Sequence, residues 1–275
     1  MCLERLGNLK DDMNHIEGID EEDLRRMYDK EGMTQVEMGK YYGVSSPTIG
    51  RRMREFGIET GYKFYDVNED FFKECTKESG WVYGWVIGDG SISTGKWLAF
   101  NLSSKDKEVL YKFKNVMESD HPIKDYDNYH KKTGKTYKLS SLLIGSVEMI
   151  KDLQKMNYED VPDEFMRDLI RGFWEAEGSV SLHVKKIGGN EYIMTNFSQK
   201  DPAVLEWIWG MLKDYEGVVE GGSLNKGKAS GGWLLVFAEA DSVNLYHYMY
   251  DDCGELYLER KKNRFEELMA RRGYL

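Results

Sequence analysis

The chain has 275 residues, enough for one large domain or two to three small ones, and a formal net charge of −10 that gives no overall basic footprint for nucleic acid. Its 7 Trp, 18 Tyr and 11 Phe supply bulk for a packed core, while no apolar run reaches the roughly 20 residues of a membrane helix. The three cysteines, Cys2, Cys75 and Cys253, are dispersed and odd in number, which argues against a disulfide framework and a CxxC metal site.

Residues 1–12 mix charges and lack an apolar signal core, so a cytoplasmic protein with no membrane partner is expected. Residues 1–62 then read as a small all-α domain. A helical period runs through residues 21–29, with Leu24 and Met27 on one side. Thr34 and Glu37 have capping-box spacing, and the helix they open stops at Gly43. Ser45-Ser46-Pro47 opens the next helix, which carries Ile49, Met53 and Phe56 inward. Helix, Gly turn and a helix with hydroxyls and arginines at its start make a helix-turn-helix pattern. Ser46, Thr48, Arg51 and Arg52 are then the residues expected at DNA base edges.

Two later stretches repeat one another. Tyr83-Gly84-Trp85-Val86-Ile87-Gly88-Asp89-Gly90-Ser91 matches Arg171-Gly172-Phe173-Trp174-Glu175-Ala176-Glu177-Gly178-Ser179. Small residues four apart, Gly84/Gly88 and Gly172/Ala176, share a helix face and permit close backbone approach. If the two helices pack together, Asp89 and Glu177 end side by side, as a metal site requires. Downstream, Ser103-Ser104-Lys105-Asp106 matches Ser198-Gln199-Lys200-Asp201, which argues for duplication of a whole unit. The outline of each half is αββαββα, with domains at residues 63–160 and 161–275. The remaining basic clusters include Lys138, Lys185 and Lys228, which the reading assigns to phosphate contacts. The histidines show no metal-ligand spacing, and Trp174, Trp207 and Trp209 read as core.

These paired motifs resemble the two LAGLIDADG motifs of monomeric homing endonucleases, and the resemblance extends over roughly residues 70–270. It implies an α+β fold: two pseudosymmetric halves whose antiparallel strands form a saddle along DNA. By position it implies Asp89 and Glu177 as divalent-metal ligands, with the backbone carbonyls of Gly88 and Ala176 beside them. It implies Lys105, Lys200 and Lys261 as the basic residues and Gln199 as their polar partner. The implied activity is Mg²⁺-dependent hydrolysis of both strands of a long asymmetric duplex site by a monomer, with Mn²⁺ able to substitute and an intron or mobile element as context. Ile87 and Ser104 depart from the pattern kept by Glu175 and Gln199. A cleavage-inactive DNA-binding regulator and an RNA-splicing maturase are the alternatives on the same scaffold.

Overall fold

A computed structural model describes residues 18–58, 65–93, 95–131, 133–185, 187–227 and 231–275. The chain divides into two compact units, Met1–Phe64 and Tyr65–Leu275.

In the first unit, α1 (Glu21–Arg25) is capped by Asp20, which accepts from Asp23 N at 2.8 Å, and it passes into a π-helical turn, Arg26–Lys30. Helix α2 (Gln35–Tyr42) opens on the expected box: Glu37 N donates to Thr34 Oγ1 at 3.2 Å, and Thr34 N donates to Glu37 Oε2 at 2.7 Å. It closes at Gly43, whose φ of 68° is the left-handed region that glycine occupies without penalty. Helix α3 (Ser46–Glu55) is capped by Ser45. A Cβ on Gly39 would stand 2.7 Å from Val44 O, so the turn lies directly on α2. Leu24, Met27, Met38, Ile49 and Met53 fill the small core.

The second unit is mixed α+β. Its first run comprises α4 (Lys77–Gly88), β1 (Gly90–Ser93), β2 (Trp97–Ser103), α5 (Lys107–Val116), β3 (Ile123–His130), β4 (Lys135–Gly145) and α6 (Val147–Leu153). Its second comprises α7 (Asp163–Glu177), β5 (Gly178–Val184), β6 (Glu191–Gln199), α8 (Pro202–Gly210), β7 (Ser223–Lys226), β8 (Trp233–Phe237) and α9 (Glu239–Tyr250), followed by α10 (Glu259–Arg272). Each run forms one four-stranded antiparallel sheet, ordered β1-β2-β4-β3 and β5-β6-β8-β7. Strands β1 and β3 carry no clear strand signature in sequence, because each is exposed over nearly its whole length.

Alternation sets the two faces of each sheet. Leu98, Phe100, Leu102, Leu142 and Ile144 turn inward in the first sheet, as do Ile193, Phe197, Leu235 and Phe237 in the second. They pack in one core with Trp81, Phe113, Phe173, Trp174 and Phe265 from the helices. The other face of each sheet is open.

Candidate metal-binding seam and open sheet faces

Helices α4 and α7 make the most extensive contact between any two elements. The small residues are the cause. A Cβ on Gly84 would collide with Leu169 O, one on Gly172 with Trp81 O, and one on Gly88 with the Cβ of Ala176. Gly80 adds a fourth point, where a Cβ would lie 3.4 Å from Phe165 O. The helices therefore approach almost backbone to backbone over about two turns of α4.

The seam brings its terminal acids together. Each helix ends where an edge strand begins, with Asp89 the residue between α4 and β1 and Glu177 the last residue of α7 before β5. The Asp89 pKa is raised from 3.8 to about 6, first by surrounding protein and then by Glu177, with Lys261 opposing. Asp89 is nevertheless exposed to solvent. Among the described residues no side chain hydrogen-bonds it. Glu177 is held more firmly, since Ser198 Oγ lies 3.0 Å from its carbonyl oxygen and 3.2 Å from Oε2.

The seam offers two carboxylates and the terminal carbonyl of Gly88. Among the described residues, no group of three or more His, Cys, Asp or Glu forms a ligand cluster. Such a sparse oxygen set fits Mg²⁺, which keeps several waters and takes substrate phosphate oxygens as ligands. The Ala176 carbonyl is already engaged: Lys261 Nζ donates to it at 3.3 Å, to Trp174 O at 3.1 Å and to Gly178 O at 2.6 Å. Lys261 thus caps the end of α7, where a cation meets the negative end of the helix dipole. Burial lowers its pKa to about 8, with Glu175 the leading opposing influence.

Glu175 is buried and crosses the seam. Oε2 accepts from Trp81 Nε1 at 2.8 Å, and Oε1 accepts from Tyr250 OH at 3.2 Å. Burial raises its pKa, against Arg171. Arg171, itself fully buried, donates to Leu256 O at 2.7 Å, Met249 O at 3.0 Å and Asp168 Oδ1 at 2.6 Å. Comparison of the repeats marks Glu175 as the acid that Ile87 replaces in the first copy, but not its partners, Trp81 from α4 and Tyr250 from α9.

The other candidate residues are dispersed. Gln199 Nε2 reaches Ile87 O across the seam at 3.4 Å, and its Oε1 accepts from Lys200 N at 2.8 Å. Lys200 and Lys105 are exposed, each just beyond the end of a central strand. Lys185 continues the open-face alternation of Ser181 and His183. Lys138, however, pairs with Asp127 on the opposite face of its hairpin, because it is one register step from the open set. Lys228 lies outside the described residues. In the first unit, Arg51 is exposed, whereas Arg52 is spent internally on Ile19 O at 3.3 Å, Glu55 and the Phe56 ring. Thr48 is bound to the cap, 2.8 Å from Ser45 Oγ, and Ser46 is half-buried.

The strand register reveals a pattern that composition hides. The open faces carry Lys124 and Lys135 with Ser, Asn, Tyr and His residues such as Asn101, Asn128, His183 and Asn196. The acids of the described strands, Asp125, Asp127 and Glu191, all fall on the opposite alternation. Lys124 escapes a reading based on charge clusters, and Lys135 is not separated by it from Lys138; the signal is parity within β3 and β4.

No protein-family model and no curated protein matches the chain. Among solved structures, its fold is similar to that of the homing endonuclease I-WcaI bound to its DNA recognition sequence. That likeness has 11% identity, covers 70% of this chain and 91% of the other, and has a TM-score of 0.50. The LAGLIDADG meganuclease I-AabMI, bound to uncleaved DNA, is also similar (15% identity, 73% of this chain and 94% of that one, TM-score 0.49). So is full-length WhiA from Thermatoga maritima (12% identity, 74% and 65%, TM-score 0.46). At such identities the likeness is one of fold.

Proposed function

We propose that the protein is a site-specific, metal-dependent DNA endonuclease that hydrolyses both strands of a long asymmetric duplex site as a monomer. The observation that carries this reading is the meeting of Asp89 and Glu177 at the ends of α4 and α7, each leading into a sheet whose open face carries no carboxylate among the described strand residues. A net charge of −10 then poses no obstacle, because the repulsive groups point elsewhere. The two half-sheets act as pseudosymmetric partners along the duplex, and their serines, asparagines and lysines meet phosphates and base edges.

Asp89 and Glu177, with the Gly88 carbonyl, would hold Mg²⁺ between the halves. Bound there, the ion lowers the pKa of a water and offsets charge on the phosphate. In the hydrolysis the water oxygen bonds to phosphorus, the P–O3′ bond breaks, and the proton lost by water is balanced by one gained at O3′. Lys200 and Lys105 stand where an ammonium can neutralise phosphate charge. Lys261 acts by fixing the end of α7, since its three donors are committed to carbonyls. The first unit adds flanking contacts as a helix-turn-helix domain, with Arg51 an exposed cation in the middle of α3.

The test is a cleavage selection on a randomised duplex library with Mg²⁺, comparing wild type with Asp89→Asn. Cutting by wild type alone, with binding retained in the variant, is the expected result. Selective binding without cutting by wild type would replace this reading with the regulator, a role favoured by the withdrawal of Ser104 from the seam.

A further inference from the structure

The segment that opens α10 is a clasp between the two runs of the second unit. The residue at the helix N-cap, Leu258, offers no side-chain acceptor, so the acceptors come from the first run. Glu108 Oε1 accepts from Glu259 N at 3.1 Å. Asp106 takes the Arg260 guanidinium with both oxygens, at 2.7 Å from Nε and 2.9 Å from Nη2. Lys112 Nζ donates to Tyr257 O at 2.7 Å and stands 4.3 Å from the centre of the Tyr257 ring. Two carboxylates thus lie at the positive end of α10, where the helix dipole favours them.

An ordinary surface ion pair contributes little. This one differs, because the Asp106 side chain is only 13% exposed and its two-point contact fixes the plane of the guanidinium. The next residue is Lys261, whose ammonium binds the carbonyls of Trp174, Ala176 and Gly178, on both sides of Glu177. A continuous path therefore runs from Asp106 through Arg260 and Lys261 to the backbone that carries Glu177. Asp106 ends the short turn Ser104–Asp106 that follows β2, directly after Lys105. Its counterpart in the second repeat, Asp201, serves its own helix instead: Oδ1 accepts from Ala203 N at 3.1 Å and caps α8.

We infer that Asp106 is a positioning residue for the proposed metal site: through Arg260 and Lys261 it sets the place of Glu177 relative to Asp89 across the seam. The glycine contacts fix how closely α4 and α7 approach. The clasp restrains the last turn of α7, from which Glu177 projects. Misplacing a reacting group by about 1 Å can cost about a hundredfold in rate, so a restraint away from the phosphate is felt in the chemical step. The inference rests on the nuclease reading above and adds to it a residue outside the metal ligands.

The test measures single-turnover cleavage of a target recovered from the library selection, using the full chain across a range of Mg²⁺ concentrations. Duplex affinity is measured in EDTA, and amide hydrogen exchange in protein free of DNA and metal. In Asp106→Asn the rate at saturating DNA should fall about tenfold or more and the Mg²⁺ requirement should rise, with duplex affinity unchanged. Exchange of the Gly178 amide, which donates to Trp174 O, should quicken several-fold. Arg260→Gln should reproduce these effects from the other side of the pair, and Asp106→Arg combined with Arg260→Asp should recover part of each. Wild-type rate and exchange in both single variants overturn the inference, as does a reversed pair no better than either of them. Loss of duplex affinity in step with rate overturns it too, since a restraint on the seam alone leaves the sheet faces intact. If Asp106→Asn fails to fold, Arg260→Gln, at a half-exposed side chain, decides. If the wild type does not cut, the nuclease reading is rejected, and exchange still decides whether the clasp governs the end of α7.

Discussion

Asp89 is the residue at which function and stability conflict. Its carboxyl titrates near 6 in the folded chain, against an ordinary 3.8, because protein and Glu177 disfavour its charge. A raised acid contributes stability below its unfolded pKa and loses it as pH rises through the folded value. At pH 7.5 the folded protein therefore carries an unfavourable ionised pair that an amide would not. Asp89→Asn is expected to melt at a higher temperature than wild type in EDTA at pH 7.5. The gap should close as pH falls from 6 towards 4, and Mg²⁺ should raise the wild-type midpoint more than the variant's. Equal midpoints in EDTA at pH 7.5 would contradict the apposition. Arg171 presents the opposite case, a buried charge fully paired with Asp168 and two carbonyls. Arg171→Met strands the Asp168 charge and should cost about 3–5 kcal/mol in denaturant unfolding. Adding Asp168→Leu should recover part of that loss.

Between elements, the α4–α7 seam is built by omission of side chains. The prediction follows from what surrounds each glycine. Gly172→Ala places a methyl against Trp81 O, a backbone atom that cannot move aside without parting the helices. A loss of about 1–3 kcal/mol or more is expected. Gly210→Ala, in a helical stretch with nothing within 4 Å of the new methyl, should instead stabilise by about 0.5–1 kcal/mol. Thermal denaturation of the two variants separates packing from helix propensity, and a similar sign for both would defeat the argument. The helices were legible in sequence because their spacing and caps are local: Thr34 with Glu37, and Gly84 with Gly88. Strands β1 and β3 were not, since Ile123–His130 exposes seven of its eight residues and has no apolar alternation to read. Pairing with β4, whose inner residues are buried, makes β3 a strand.

For the molecule as a whole, the distribution of charge matters more than its sum. If the open faces lie along DNA, Lys124→Glu should weaken duplex binding and reduce the slope of log affinity against log salt by about one. Lys138→Glu, on the opposite face, should change both far less. Salt-dependent binding titrations distinguish them, and equal losses would remove the assignment of faces. The sequence by itself determined the paired helices, their glycine contact and the meeting of Asp89 with Glu177, because those depend on short spacings repeated along the chain. Only the tertiary structure decided that Arg52 and Thr48 serve their own unit, that Glu175 bridges Trp81 and Tyr250, and that Lys138 shares a face with Asp127. Those outcomes depend on partners distant in sequence and on strand register, where one residue of slip exchanges the two faces of a sheet.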